Sequence, residues 1–146
     1  MLCAQAFHWF HNRDALAEFA RILKPGGRLA LMWNRRSRMD PLTAGYRQAI
    51  LDVGGEVISE RMPFEPSIVG GSGLFTPVAR RAWPNEQRIT LEGLIGRAQS
   101  ASYVPKEGPN GERLIELLRA LHTRYADSSG HVRLVYETEV FLSLKQ

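Results

Sequence analysis

The sequence predicts an α/β fold in which a mostly parallel sheet carries flanking helices and ends with an antiparallel strand. Residues 13–24 have helical apolar spacing and lead into the almost continuously apolar run 28–34, after which a second helical pattern starts at Asp40. Residues 132–144 instead alternate apolar and polar side chains. Alternating helices and buried strands are typical of a parallel sheet, and a long alternating segment is typical of an antiparallel strand with one wetter face.

Composition places the chain among ordinary soluble domains. Its 146 residues are 44% apolar and 23% charged, which predicts a single domain over 1–146. The lone Cys3 cannot form an internal disulfide and no stretch reads as a signal peptide, so we expect a cytoplasmic protein. The longest apolar run, 29–33, is too short to cross a membrane. The net charge of +4 favours anionic partners, but the basic residues are scattered and nucleic-acid binding is not expected.

Local signals define the first helix and strand. Asn12 is a good N-cap, and the next apolar residues fall on one helical stripe. Pro25 disfavours helical geometry in the residue before it, and Gly26-Gly27 permit a tight turn. The strand over 28–34 follows directly.

The second helix and the segments after it are predicted in the same way. Asp40-Pro41 begins a helix that Gly54-Gly55 ends. Prolines and the glycine cluster at 70–73 predict a long mobile loop over 56–77, with a short strand within 75–83. Helices are predicted after Thr90 and after Asn110. The final strand is expected to bury one parity of its residues, namely Val132, Leu134, Tyr136, Val140, Leu142 and Leu144.

Several common catalytic patterns are weak in this sequence. Gly71-Ser72-Gly73 resembles the start of a dinucleotide fingerprint, but no clear strand precedes it and Pro77 interrupts the expected helix, which favours a loop. His8 and His11 have helical spacing without further ligands nearby, so no metal site is expected. Cys3 lacks an obvious base and is better explained as a buried thiol.

The clearest candidate site is the group of aromatic residues at 4–10. It falls where a strand would end, the position at which open α/β sheets bind ligands, and Trp33-Asn34 holds the equivalent place on the next strand. Such a group can form a pocket wall, although dense aromatic residues also fill protein cores.

The order of these motifs resembles class I S-adenosylmethionine-dependent methyltransferases of the small-molecule type. The matching segments are Ala4-Gln-Ala-Phe-His-Trp-Phe10, Arg21-Ile-Leu-Lys-Pro-Gly-Gly27, Arg28-Leu-Ala-Leu-Met-Trp-Asn34, Ser100-Ala-Ser-Tyr-Val104 and Tyr136-Glu-Thr-Glu-Val140. The resemblance covers the C-terminal half of that fold. It implies a partial Rossmann-like sheet made of the last strands, in which the final strand is antiparallel and inserted beside the family's fifth.

The resemblance also implies roles for individual residues. Ala6 and Phe7 would lie against S-adenosylmethionine, and the acceptor side would be lined by His8, Trp9, Trp33, Asn34 and Tyr103. No catalytic base is assigned, although His8 is the one candidate by chemistry. The family's glycine-rich loop and its ribose-binding acidic residue would precede Ala4, so we do not expect this chain to methylate alone. It would need an upstream segment or a partner.

An uncovered sheet edge is a further expectation, because parallel strands normally have neighbours on both sides. We therefore expect a homo-oligomer, most simply a dimer, that covers this edge. Two other functions stay open at this point: a small-molecule binding module without catalysis, and a basic oligomer that binds anions or nucleic acid. The sequence does not identify the methyl acceptor.

Overall fold

The computed structural model describes residues 1–9, 12–55 and 64–146. Four strands and five helices are found within these ranges, together with a 3₁₀ turn at Phe7–Trp9. The strands are β1 (Leu2–Ala4), β2 (Arg28–Arg36), β3 (Ala79–Ile89) and β4 (Val132–Leu144). The helices are α1 (Arg13–Ile22), α2 (Pro41–Asp52), α3 (Ser67–Gly70), α4 (Leu91–Gln99) and α5 (Gly108–Tyr125).

The strands form one mixed sheet in the order β1-β2-β4-β3. β1 runs parallel to β2, with Cys3 opposite Leu31. β4 runs antiparallel to β2, because Lys145 donates its N–H to the Gly27 carbonyl at 2.8 Å while Thr138, seven residues earlier, bonds Asn34 at the other end of β2. The predicted mixed sheet with a final antiparallel strand is confirmed, and that strand lies beside β2.

The described residues form two compact units. The first unit comprises residues 1–9, 12–35, 64–84 and 137–146, and the second comprises 36–55 and 85–136. The first has an aromatic core whose buried rings are Phe7, Phe19, Trp33, Phe64, Phe75 and Phe141. The second has a mainly aliphatic core to which α2, α4, α5 and the first part of β4 contribute. In the second unit α2 and α5 approach closely at Gly45, where a Cβ atom would lie 2.6 Å from the Leu121 side chain.

Capping residues start three helices where the sequence predicts. Asn12, Asp40 and Thr90 each accept a hydrogen bond from a backbone N–H in the first turn of their helix. α5 begins at Gly108, slightly earlier than predicted from Asn110. The reason is that Pro109 sits in the first turn, where its fixed φ suits a helix and its missing N–H costs nothing.

β3 is longer than the short strand predicted within 75–83. It runs from Ala79 to Ile89 and is exposed along most of its length, so its sequence lacks the apolar signal of a buried strand. Pro84 lies within it, and proline is tolerated there because β3 is an edge strand of the described sheet.

The loop predicted over 56–77 is partly corrected by the structure. Residues 56–63 lie outside the described residues. The remainder contains the short helix α3, and Phe64, Val69 and Phe75 are buried in the aromatic core. The prolines and glycines therefore shape turns around three apolar anchors. The mobility of this segment stays a prediction.

The structure differs from the prediction in which residues of β4 are buried in the second half of the strand. Val132, Leu134 and Tyr136 are buried as predicted, but farther along the buried positions are Glu139, Phe141 and Ser143. Leu142 and Leu144 are instead partly exposed. The change follows from packing, because Tyr136 belongs to the aliphatic core whereas Phe141 packs against Trp33 and Phe64.

None of the described helices is long and apolar enough to cross a membrane.

Thr43 ties α2 to β4 through one buried hydroxyl. The hydroxyl donates to Asp40 Oδ1 at 2.5 Å and accepts the Val135 N–H at 2.9 Å, and the side chain is fully buried. Thr43→Val should lower the free energy of unfolding by about 1–3 kcal/mol, because it leaves a buried N–H without a partner. Urea unfolding measures this change. Thr43→Ser keeps the hydroxyl and should cost only about 1 kcal/mol for the lost methyl group; equal losses in the two variants would contradict this role.

Candidate functional site

The candidate site lies at the end of β1, where the backbone makes a strained turn. The Gln5 N–H donates to the Met32 carbonyl at 2.8 Å and so extends the pairing of β1 with β2 by one residue. Gln5 then adopts φ +57°, the left-handed region that side-chain-bearing residues rarely enter. Such strain persists where surrounding contacts impose it, and it is common at ligand sites. The turn at Phe7–Trp9 follows and brings His8 beside β2.

Trp33 forms the buried layer of the site. Its ring is 6% exposed, stacks on Phe64 with centroids 4.8 Å apart, and meets the edge of Phe141 at 5.8 Å. Its indole Nε1–H points to Nδ1 of His8 at 3.5 Å, a long hydrogen bond. The core thus fixes the indole ring while its one polar atom faces His8.

His8 and Trp9 form the outer layer. Their ring centroids are 4.9 Å apart, and Trp9 is 60% exposed. Because Nδ1 of His8 accepts from Trp33, this contact requires that nitrogen to be unprotonated. The exposed indole of Trp9 and the imidazole of His8 thus lie over the buried indole of Trp33. Together these rings form a pocket wall suited to flat apolar or heteroaromatic groups.

The residues expected to touch a cofactor lie just before this wall. Phe7 is fully buried, with its ring 6.0 Å from Phe19 and 5.7 Å from Phe64. Ala6 is half-buried and its carbonyl accepts the Trp9 N–H at 3.0 Å. The side chain of Phe7 is therefore part of the aromatic core. Contact of Ala6 and Phe7 with a cofactor stays a prediction.

Asn34 follows Trp33 on β2 and is exposed. Its Oδ1 accepts from the Thr138 hydroxyl at 2.7 Å, which fixes the orientation of the amide. The Nδ2 donors are then the groups that Asn34 can offer to a ligand.

Tyr103, expected on the acceptor side, lies in the second unit. It is half-buried and interacts electrostatically with the Arg36 guanidinium. The structure thus brings together His8, Trp9 and Trp33 and places Asn34 next along the strand. The acceptor-side role of Tyr103 stays a prediction.

A buried carboxylate beside this site escapes sequence analysis. Glu139 is 5% exposed, forms an ion pair with Arg35, and accepts from Arg80 Nε at 2.9 Å and Nη2 at 2.6 Å. In strict alternation along β4, Glu139 falls on the face predicted to contact solvent. No local sequence signal therefore marks it as buried. Arg35 directly follows Asn34, and the network therefore fixes the end of β2 that carries the candidate site.

Replacing Glu139 with Gln should lower the free energy of unfolding by about 1–3 kcal/mol, since two arginines lose a shared buried carboxylate while remaining half-exposed to water. Thermal or urea unfolding measures the change. Glu137→Gln is the matched control: Glu137 bonds the same Arg80 but is 54% exposed, so its loss should cost about 0–1 kcal/mol. A Glu139→Gln variant as stable as Glu137→Gln would contradict the role given to the buried carboxylate.

Three backbone amides of the glycine-rich stretch are already paired within the chain. The Gly71 N–H donates to Ser67 O at 2.7 Å, the Ser72 N–H to Val69 O at 3.2 Å, and the Leu74 N–H to Ser72 Oγ at 3.1 Å. A phosphate cradle needs these donors unpaired, so the structure supports the loop interpretation.

Cys3 is buried, and desolvation raises the pKa of its thiol. The thiolate is correspondingly disfavoured, as expected of a structural cysteine.

His11 lies outside the described residues; within them no group of three or more His, Cys, Asp or Glu side chains could hold a metal ion.

Known proteins similar to this chain are methyltransferases. A family model described as a methyltransferase domain matches residues 1–31. An uncharacterized methyltransferase-like protein of Schizosaccharomyces pombe is 29% identical over 100% of this chain and 58% of its own length. An uncharacterized methyltransferase of Mycobacterium bovis is 31% identical over 89% of this chain and 52% of its own length.

The fold of this chain is also similar to that of a solved methyltransferase structure. The structure of a candidate type II methyltransferase from Anaeromyxobacter dehalogenans matches 99% of this chain and 63% of its own, with a TM-score of 0.53 and 20% identity. The chain spans 52% to 58% of the length of these two curated relatives.

Proposed function

We propose that this chain is part of a class I methyltransferase and forms the acceptor side of an S-adenosylmethionine-dependent enzyme acting on a small molecule. The single observation that carries the proposal is the layered group of Trp33, His8 and Trp9 at the ends of two parallel strands. Strand ends of this kind are the ligand positions of open α/β sheets. The aromatic layers offer an acceptor a flat apolar surface, and His8 and Asn34 offer it polar contacts.

The residues at these strand ends fit an acceptor better than they fit the whole cofactor. Residues 5–9 and 33–35 contain no carboxylate that could bind the ribose hydroxyls or face the sulfonium charge. Ala6 leaves room for a bulky group because its side chain is a single methyl. These residues therefore suit one wall of a cofactor pocket, and a further segment must supply the rest.

Positioning is the main contribution that this chain could make to methyl transfer. When bound, S-adenosylmethionine supplies an electrophilic methyl group. Trp33 and Trp9 would hold the acceptor against that group and exclude water, and Asn34 would orient it through its amide donors. Holding two reactants in line can account for much of a rate enhancement. We assign no catalytic base.

We further propose that methyl transfer by these residues depends on a cofactor-binding segment, in the same protein or in a partner. The support is that the matched relatives are nearly twice as long as this chain. β1 is an edge strand of the described sheet, and its Leu2 side chain is 61% exposed. Such a cofactor-binding segment, or a second copy of the chain, would pair with this edge.

Calorimetric titration with S-adenosylhomocysteine tests the dependence without knowledge of the acceptor. The 146-residue chain alone should not bind up to millimolar ligand. A fusion with the part of the S. pombe relative that lies outside its match to this chain should bind with a Kd of about 1–100 μM, equivalent to about 5–8 kcal/mol.

Two controls make the result interpretable. Circular dichroism confirms that both proteins are folded, and sedimentation of the same samples tests whether the chain alone forms a dimer. Micromolar binding by the chain alone would contradict its dependence on another segment. A compact 16.5 kDa monomer would contradict pairing between two copies at β1.

A further inference from the structure

The second unit contains a cluster of two arginines and three tyrosines drawn from distant parts of the chain. Arg36 ends β2, Tyr46 lies in α2, Arg97 in α4, Tyr136 in β4, and Tyr103 follows α4. The Arg36 guanidinium carbon lies 5.0 Å from the Tyr46 ring centroid, and that of Arg97 lies 5.4 Å from the Tyr136 centroid. Both are cation–π distances. Tyr46 interacts electrostatically with all four other members, so the five side chains share one location.

Four polar atoms of this cluster are buried without a hydrogen-bond partner among the described residues. They are Nε of Arg36, Nε of Arg97 and the hydroxyls of Tyr46 and Tyr136. The two tyrosines are themselves almost wholly buried, at 0% and 5% exposure. Buried polar groups are nearly always paired in folded proteins, because an unpaired group loses its hydration without compensation. Four orphaned donors in one place therefore indicate a ligand.

The charge of the cluster indicates what that ligand is. Arginine stays protonated in proteins, so the cluster carries two positive charges. Besides burial, the main electrostatic influences on Arg36 and Tyr46 come from the guanidiniums and phenols of the cluster itself. Burying a charge without a counter-charge is costly. An anion would remove this cost and accept from the unpaired donors.

The Tyr46 hydroxyl is a hydrogen-bond donor at physiological pH. Burial raises the pKa of Tyr46 to about 12, even though Arg36 and Arg97 lower it. The phenol is therefore protonated and can donate a hydrogen bond to an oxyanion. Cation–π contact with the rings also orients the guanidiniums, whose planar N–H groups match carboxylate and phosphate oxygens.

We propose that Arg36 and Arg97, together with the Tyr46 and Tyr136 hydroxyls, form a binding site for the oxyanion group of a small molecule, a carboxylate or a phosphate. The site lies within the second unit and its existence does not depend on methyl transfer. A chain that never binds S-adenosylmethionine would still bind the anion.

Calorimetric titration of the 146-residue chain with sodium phosphate and with sodium succinate, at fixed ionic strength, tests the proposal. We expect saturable binding of one anion per chain with a Kd below about 1 mM. Arg97→Gln should weaken it at least about tenfold, and Tyr46→Phe by about threefold to tenfold, because each removes a donor to a charged group. Arg113→Gln and Tyr125→Phe are matched controls elsewhere in the same unit and should not change the affinity. Tighter phosphate binding would identify a phosphate ester as the ligand class, and tighter succinate binding a carboxylic acid.

The stability of Tyr46→Phe separates a binding site from a structural cluster. Without added phosphate or succinate this variant should be as stable as the parent chain or melt a few degrees higher, because it removes a buried hydroxyl that has no partner. Added phosphate should raise the Tm of the parent more than that of the variant. Absence of saturable binding by either anion, or equal affinity in the parent and in Arg97→Gln and Tyr46→Phe, would overturn the proposal.

Discussion

The insertion of β4 between β2 and β3 is the constraint on which the rest of this structure depends. β4 supplies Thr138 to orient Asn34, Glu139 to join Arg35 with Arg80, and the Val135 N–H that holds Thr43. Phe141 and Tyr136, on the same strand, belong to the two cores. The last strand in the sequence thus fixes side chains on elements that lie much earlier in the chain.

The two units differ in how their charged side chains are paired. In the first, the Glu139 carboxylate is matched by two arginines whose side chains reach water. In the second, Arg36 and Arg97 are packed on tyrosine rings, and the main influences on Arg36 besides burial are phenols. Removing one member of a matched network is costly, whereas an unmatched pair of cations favours binding an anion. This difference is why we treat Glu139 as structural and the arginine–tyrosine cluster as a site.

Local signals explain why much of the fold is predictable from sequence. Asn12, Asp40 and Thr90 mark helix starts because capping needs only neighbouring backbone N–H groups. The ends of β1 and β2 are predictable as a candidate site because strand polarity alone fixes that position in a parallel sheet. Caps and strand ends depend on short stretches of chain, and a sequence displays those directly.

Features set by packing between distant segments were not predictable. The buried face of β4 changes between Tyr136 and Glu139 because each half of the strand packs into a different core. The arginine–tyrosine cluster has no sequence spacing of its own, since successive members are separated by 6 to 51 residues along the chain. Tyr103 belongs to that cluster, and no local signal marks its place there either.

Native-state hydrogen exchange, followed by NMR, tests the organising role of β4 most directly. A central strand pairs its amides with neighbours on both sides, so the amides of residues 134–142 should exchange only through global unfolding. Amides of β3 within 83–88, on an exposed edge, should exchange faster through local opening. Exchange of the β4 amides at the rates of those in β3 would contradict the account, because the strand that fixes both candidate sites would then open independently of the fold.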